Sequence, residues 1–306
     1  MTIHEMYEMF ILEQEYRNNS PVTISWYKDQ LEEFFIWLMD TIPAAYNDPA
    51  QLNLLNFKRY GVYLKLQTKR NGDRLSSSSV HGSLRAVKAF YNFCIGEDYL
   101  DDFSRQLRLP KVHCKEQLIL DDQEIIQLLR ACDDSFSHYS LRNKCFVLLM
   151  LDSGLRRGEI PRINIGDVTF SSKSMIIRGK GSKQRLIPIG YQTCEQLLNY
   201  CLKYRHGASG SEPFFVDQSG ERCSDNLIKQ IFKRLKDTTG IERLHPHLLR
   251  HTFATYYLAD GGDLETLRLI LGHSNIQTTQ MYLHLAFNLK LQRSRHNSHI
   301  DKLFDH

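Results

Sequence analysis

The sequence predicts a mainly α-helical protein with one small β-hairpin or sheet, divided into two domains. Apolar residues recur at helical spacing through most of the chain, whereas only one pair of short apolar runs around a glycine-rich turn is typical of a hairpin. The periodicity stops between Asp101 and Gln117, where basic residues flank Pro110. The 306 residues suffice for two domains of ordinary size. We predict a helical domain at 1–111, a linker at 112–117 and a second domain at 118–306.

Three helices are predicted in the first domain. One begins at Ser20-Pro21 and places apolar residues at helical spacing as far as Leu38, and a second spans roughly residues 51–66. The third follows a run of serines and carries an apolar stripe from Val80 to Cys94. The serines can cap this helix or contact a phosphate, and both interpretations are open.

The second domain begins with a capping-box pattern, Asp121 followed by Glu124, and continues as helices to about Ile165. The predicted hairpin follows, with apolar runs at 175–177 and 186–189 around a turn that contains two glycines. Helices then return to the end of the chain. The short apolar segment 213–216 is either an edge strand or part of the core.

Composition excludes several classes of protein. Hydrophobic residues make up 42% and charged residues 24% of the chain, which is typical of a folded globular protein. No apolar run is long enough to cross a bilayer, and the N-terminus is too polar for a secretory signal, so we expect a cytoplasmic protein with no membrane partner. Seven scattered cysteines without a Cys-x-x-Cys pair argue against disulfides and zinc. The net charge of +4 weakly favours a polyanionic partner.

Four segments of the second domain carry residues suited to chemistry on a phosphate. Paired guanidinium groups stabilise the charge that grows on phosphate oxygens, and a tyrosine can attack phosphorus to form a covalent ester. A lysine or histidine can protonate the leaving oxygen, so this chemistry needs no metal. The candidates are Arg156, Lys180, His247, Arg250, His273 and Tyr282.

These motifs resemble those of the tyrosine recombinase (phage integrase) family. The His247-x-x-Arg250 motif and the later Leu271-Gly-His273 and Tyr282 are similar to its signature. Gly154-Leu-Arg156-x-x-Glu159 and Gly179-Lys-Gly181 resemble its first arginine box and its β-hairpin lysine. The resemblance covers roughly residues 118–285 and implies an α+β catalytic domain. The helical first third is similar, in pattern only, to the family's SAM-like core-binding domain, which clamps DNA.

The resemblance implies a role for each of the best-matched residues. Arg156 and Arg250 would clamp the scissile phosphate, and Tyr282 would attack it to give a 3′-phosphotyrosyl enzyme. Lys180 would protonate the 5′-hydroxyl leaving group. The hairpin turn leaves open whether Lys183 or Arg185 reaches the DNA instead.

Nearby residues receive supporting roles. His247 would act as a base or donor near the nucleophile, and His273 would donate a hydrogen bond to the phosphate. We interpret Glu159 as a support for the arginine box and His251 as structural or supporting. Arg157 is either a contact to a backbone phosphate or a solvated side chain. The basic residues predicted to contact DNA are Arg85, Lys88, Lys111, Lys183 and Arg185.

The resemblance implies a site-specific recombinase that cuts and rejoins double-stranded DNA in a tetramer, without cofactor or metal. Residues 284–291 would form a short helix that either packs into a neighbouring protomer or docks on its own domain. The competing hypotheses are a type IB topoisomerase and a non-catalytic DNA-binding protein of the same fold. The role is integration or excision, Xer-like resolution of dimers, or resolution of transposon cointegrates. About 110 residues before the linker leave no room for an additional arm-binding domain.

Overall fold

The chain is mainly helical and divides into two compact units, Met1–Glu116 and Gln117–His306. A computed structural model describes residues 1–68, 72–111, 119–133, 139–179 and 184–293. Helices and one small antiparallel sheet form the described part of the chain, so the predicted fold class is confirmed. The predicted linker at 112–117, Lys180 and Lys183 lie outside the described residues. No helix within the described ranges is both long and apolar enough to span a bilayer.

The first unit is a group of helices, and polar side chains cap the N-termini of several of them. The hydroxyl of Ser20 accepts a hydrogen bond from the backbone N–H of Thr23 at 3.2 Å, and Ser76 caps its helix in the same way. The three predicted helices are present, and two further helices precede or separate them. The helices are α1 (Ile3–Tyr16), α2 (Pro21–Thr41), α3 (Pro43–Asn47), α4 (Leu54–Leu66) and α5 (Ser77–Gly96).

Aromatic rings fill the core of the first unit. The Phe34 ring from α2 meets the edge of Tyr60 from α4 at a centroid distance of 4.9 Å. Phe90 from α5 contacts both Phe35 and Phe10, which joins α1 to the same cluster. The apolar stripes that predicted α2, α4 and α5 therefore face one another.

The second unit contains the remaining helices and the sheet. Its first helix has the predicted capping box, because the Asp121 and Glu124 side chains each accept a hydrogen bond from the other's backbone N–H, at 2.8 and 3.1 Å. The elements are α6 (Asp122–Asp133), α7 (Ser140–Ser153), β1 (Val168–Thr169), β2 (Ser174–Arg178), β3 (Gln184–Pro188), α8 (Tyr191–Tyr204), α9 (Asp225–Thr239), α10 (Pro246–Ala259), α11 (Leu264–Leu271) and α12 (Gln277–Arg293).

The sheet is the predicted hairpin with one extra strand. Strands β2 and β3 pair antiparallel with Ile176 opposite Leu186, and β1 adds to the outer edge of β2. Two residues are too few for a recognisable alternation of side chains, which is why the sequence did not indicate β1. The segment 213–216 belongs to the core, since Phe214 and Phe215 are fully buried.

Helix α7 ends in a glycine that no other residue can replace without strain. Gly154 has φ +61°, and a Cβ at this position would lie 2.5 Å from the Phe253 ring and 2.8 Å from Leu271. The close packing places the Gly154 carbonyl beside α10. The end of α7 and the start of the arginine box are thereby fixed against the centre of the second unit.

Replacing Gly154 should destabilise the second unit more than replacing an uncrowded glycine of the same conformation. Gly240 ends α9 at φ +68° with open space around it. Gly240→Ala should cost about 1–2 kcal/mol from backbone strain, and Gly154→Ala should cost about 1–3 kcal/mol more from overpacking. Guanidinium unfolding followed by circular dichroism measures the difference.

Tryptophan fluorescence provides an internal control for this experiment. Trp26 and Trp37 are the two tryptophans of the chain, and both lie in the first unit. Their unfolding transition should be unchanged in both variants. Equal destabilisation by the two substitutions would contradict the packing role of Gly154.

Candidate active site

Helix α10 presents two of the phosphate-directed residues, and a further histidine, from its first two turns. Pro246 occupies the first helical position, where its missing N–H costs nothing. His247, Arg250 and His251 follow at offsets that place them on one side of the helix. The helix packs against α7 and α12. Its polar side therefore lies beside the C-terminal end of α7 and beside the body of α12.

Backbone carbonyls hold the guanidinium of Arg250. Its Nη1 donates to the Gly154 carbonyl at 2.6 Å, and its Nη2 donates to the Leu271 carbonyl at 2.7 Å. Both carbonyls belong to the C-terminal ends of helices, where acceptors lack partners within the helix and carry partial negative charge. The side chain is 4% exposed. Arg250 is thus fixed without forming an ion pair to any carboxylate of the described residues.

Burial and a neighbouring cation disfavour the charged form of Arg250. Desolvation and the charge of Arg156 lower the pKa of Arg250 to about 10. The group remains a cation at neutral pH. A phosphate anion placed beside it would relieve the cost of this charge.

Arg156 is tied to a buried ion pair. The Glu159 carboxylate accepts hydrogen bonds from both terminal nitrogens of Arg185, at 2.9 and 2.8 Å, and from one nitrogen of Arg156 at 3.1 Å. Burial alone would raise the pKa of Glu159, but the hydrogen bonds and charges of Arg185 and then of Arg156 outweigh it, and the pKa is lowered. The carboxylate is therefore charged at neutral pH and holds Arg156, whose side chain is 38% exposed. Arg156 also donates to the Gly272 carbonyl at 3.4 Å.

This arrangement differs from the sequence prediction for Arg185. We expected Arg185 to contact DNA, but its three guanidinium nitrogens donate to Glu159 and to the Ile270 carbonyl. The side chain is 14% exposed. Arg185 joins strand β3 to the end of α11 and supports Glu159, so we withdraw it as a DNA contact.

His273 lies next to Arg250 at the start of the segment that leads to α12. Its Nε2 lies 2.9 Å from Arg250 Nη2, which can only donate, so Nε2 accepts this hydrogen bond. Its Nδ1 then carries the proton and donates to Thr279 Oγ1 at 2.9 Å. Burial and the charges of Arg250 and Arg156 lower the pKa of His273 to about 4. In this state His273 is neutral and accepts a hydrogen bond at Nε2, whereas the sequence predicted a histidine that donates to the phosphate.

Tyr282 lies on α12 with its phenol against α10. Its hydroxyl is 2.9 Å from His251 Nδ1, and the residue is 2% exposed. Burial raises the pKa of Tyr282, although the charges of Arg250 and Arg156 act in the opposite direction. The predicted nucleophile is therefore in the same site as both arginines, and the histidine that contacts it is His251 and not His247.

His247 is exposed on the same side of α10. Burial of part of its ring and the charge of Arg250 lower the pKa of His247, which places it near the arginines. Arg157 points elsewhere, as the sequence suggested, but it forms a bidentate ion pair with Asp225 at 2.7 Å. It is therefore neither a free phosphate contact nor a fully solvated side chain.

Of the other predicted DNA contacts, Lys183 lies outside the described residues and the remaining three lie in the first unit. Arg85 is exposed and stacks over the Trp26 ring at 5.0 Å. Lys88 donates to the Leu107 carbonyl at 2.5 Å, and Lys111 is exposed. These positions remain predictions.

Comparison with known proteins identifies the family. The model of the phage integrase family matches residues 119–288. The chain belongs to the phage integrase family. Tyrosine recombinase XerC of Chlorobaculum tepidum is 30% identical over 303 residues, which cover 89% of this chain and 87% of the relative. XerC of Bacillus pumilus is 28% identical over 93% of this chain and 92% of its own length.

Solved structures of this family share the fold. The Tn1549 transposon integrase in complex with transposon right end DNA matches with a TM-score of 0.72 at 19% identity, over 96% of this chain and 99% of the other. A lambda integrase dimer bound to a core site matches with a TM-score of 0.71 at 15% identity, over 92% and 95%. The chain is a tyrosine site-specific recombinase, so the predicted enzyme class is confirmed. The comparisons do not favour the topoisomerase or the non-catalytic alternative.

Removing the charge of Glu159 should destabilise the fold in a pH-dependent way. Glu159→Gln leaves the buried Arg185 without a carboxylate and should cost about 3 kcal/mol at neutral pH. Because the folded pKa of Glu159 lies below its ordinary value of 4.5, this stabilisation is complete above pH 4.5 and is lost as pH falls through the folded pKa. The difference between variant and wild type in urea unfolding should therefore shrink in acid.

Glu265→Gln is the matched control. Glu265 pairs with Arg268 at the surface of α11, where ion pairs contribute little. This substitution should leave the unfolding midpoint unchanged. A Glu159→Gln variant with the stability of the control would contradict the account of the buried pair.

Proposed function

We propose that this recombinase cuts and rejoins duplex DNA through a 3′-phosphotyrosyl bond to Tyr282. The observation that carries the proposal is the meeting of two guanidinium groups, three imidazoles and one phenol around the start of α10. The only acidic side chain among their hydrogen-bond partners in the described residues, Glu159, is already shared between two arginines. The site therefore carries excess positive charge suited to a phosphodiester.

The two arginines would bind the phosphate in different ways. Arg250 is buried and immobile, and it offers a fixed charge at the floor of the site. Arg156 is partly exposed and is oriented by Glu159, so it can reach a phosphate oxygen from the opposite side. Donors fixed before the substrate arrives stabilise the transition state without a cost of reorganisation.

Binding of the phosphate should change the protonation of His273. In the free protein its Nε2 accepts from Arg250. An anion that takes the Arg250 donor would also favour the charged imidazole, since an opposite charge raises a histidine pKa. His273 would then donate to the phosphate, as the family resemblance implies.

Lys180 is our proposed acid for the leaving 5′ oxygen. The proposal rests on the match of Gly179-Lys-Gly181 to the hairpin lysine of the family. The pairing of strands β2 and β3 supports it, because Lys180 lies between these two strands in the sequence. Lys183 remains the alternative from the same turn.

Xer-like action at specific sites is the role that the relatives favour. The XerC proteins match this chain over most of both lengths, and a XerH recombinase bound to its difH substrate shares the fold. We therefore propose resolution of DNA dimers, in a tetramer of this chain on DNA, as the biological task. The fold shared with the Tn1549 integrase makes transposition the second candidate.

Helix α12 has a surface suited to assembly. Leu283 and Phe287 are 44% and 60% exposed on the helix that carries Tyr282. The last turn of the same helix docks on its own unit, because Arg293 pairs with Asp260 at 3.1 Å. We propose that the exposed apolar side chains contact a neighbouring protomer in the synapse.

Covalent trapping tests the proposed chemistry. Randomly nicked genomic DNA from the source organism is incubated with the protein, and adducts that resist SDS are isolated and sequenced. The wild type should form an adduct at one or a few sites, because a nick near the scissile bond releases the leaving strand. Tyr282→Phe should form none.

Tyr191→Phe is the matched control. Tyr191 is exposed at the start of α8 and loses the same hydroxyl. This variant should form as much adduct as the wild type. Adduct formation by Tyr282→Phe, or none by the wild type, would contradict the proposal.

A further inference from the structure

The phenol of Tyr282 has one hydrogen-bond partner among the described residues. That partner is Nδ1 of His251, 2.9 Å from the hydroxyl oxygen. The two rings are 5.5 Å apart at their centroids and inclined by 48°. His251 lies on α10 and Tyr282 on α12, two helices that pack along their length, so the contact is fixed by the fold.

The direction of this hydrogen bond follows from which of the two groups has another partner for its proton. A buried tyrosine hydroxyl normally donates its proton to a partner. If Nδ1 donated to the phenol oxygen, the phenolic proton would have no acceptor in the described part of the chain. The consistent assignment is therefore donation from Tyr282 to a neutral His251 that accepts through Nδ1.

We propose that His251 is the general base that takes the phenolic proton when Tyr282 attacks phosphorus. This role rests on the proposed function of Tyr282 and replaces the one that the sequence suggested for His247. The phenol oxygen forms a bond to phosphorus as its O–H bond breaks and the proton passes to Nδ1. The bond from phosphorus to the 5′ oxygen breaks, and that oxygen receives a proton from the acid of the hairpin turn.

The same proton transfer serves strand joining in reverse. The 5′ hydroxyl returns its proton to the group that protonated it during cleavage, and its oxygen attacks the phosphotyrosyl ester. The bond from phosphorus to the phenol oxygen breaks, and the departing phenolate takes back the proton from the His251 imidazolium. A single residue in contact with Oη can therefore assist both halves of the exchange. His247 is exposed and left free to face the phosphate.

The surroundings of His251 keep it neutral before DNA binds. Burial, and then the neighbouring imidazoles and Arg250, lower the pKa of His251 to about 4. A bound phosphate would offset the cationic neighbours and raise this value, which favours proton uptake during attack. The titratable and charged groups that face His251 are His245, His247, Arg250, His273 and Tyr282.

A substrate with a sulfur leaving group isolates this step. The probe is the duplex site mapped by covalent trapping, with a 5′-bridging phosphorothiolate at the scissile position. A thiolate leaves without protonation, so the reaction does not need the acid of the hairpin turn. Release of the 5′ thiol at saturating protein then measures attack by Tyr282 alone.

His251→Gln and His251→Ala test the proposal. Glutamine keeps a hydrogen-bond acceptor but cannot take the proton. Both variants should release thiol about 100-fold more slowly than the wild type at neutral pH. Added imidazole should restore part of the rate to His251→Ala, and affinity for the duplex should stay within about threefold of the wild type in both.

The pH profile separates a base from a positioning group. The wild-type rate should be nearly flat from about pH 7 to pH 8, because a pKa of about 4 in the free protein leaves His251 neutral there even after a bound phosphate raises it. The rate of His251→Gln should rise about tenfold per pH unit, since the phenol must ionise unaided and the pKa of Tyr282 is raised above 10.0. His206→Gln, an exposed change elsewhere in the same unit, should behave as the wild type.

The outcomes distinguish this role from the proposed function. Thiol release by the wild type, together with an equal rate or a flat profile for His251→Gln, would overturn the role of His251 and leave Tyr282 as the nucleophile. No adduct and no thiol release from the wild type would overturn both. Slow release by both His251 variants with intact DNA binding, the steep profile and imidazole rescue would support the proposal.

Discussion

The guanidinium of Arg250 is held by two backbone carbonyls at helix ends, and the other features of the site are arranged around it. Gly154 and Leu271 supply these carbonyls, so the end of α7 and the end of α11 are joined through one side chain. His273 contacts the same guanidinium. The charge of Arg250 also acts on the phenol of Tyr282, whose pKa it lowers. Carbonyl dipoles hold the arginine in place but leave its positive charge uncompensated, which is what a phosphate site requires.

The histidines of the free site are neutral and lie beside cationic arginines. Burial is the main cause that lowers the pKa of both His251 and His273 to about 4. Neighbouring imidazoles and then Arg250 add to it at His251, and Arg250 and Arg156 add to it at His273. Arg156 contributes to the same field but is restrained by Glu159, whose charge is already shared with Arg185. The anion that we propose for this arrangement is a phosphate of DNA. Its arrival would change proton positions at the histidines, which couples binding to the chemistry of attack.

Local sequence patterns predicted most of the fold, because caps and helical periodicity act over a few residues. Ser20 and the pair Asp121 and Glu124 begin helices where expected, and the hairpin strands pair as expected. The spacing of motifs also predicted which groups share the site. Contacts across the fold escaped prediction: His251 and Tyr282 are 31 positions apart and meet only because α10 and α12 pack. Likewise, a basic residue beside a turn looks solvent-exposed until packing places it against a buried carboxylate.

Mass spectrometry of the trapped adduct tests the central claim most directly, since it finds the attachment point without any substitution. Trypsin should release residues 269–290, between Arg268 and Lys290, a peptide whose single tyrosine is Tyr282. After nuclease digestion, the account predicts that this peptide carries a nucleotide joined through its 3′ phosphate to the Tyr282 oxygen. A nucleotide attached to any other peptide, or to either histidine of this one, would contradict the account.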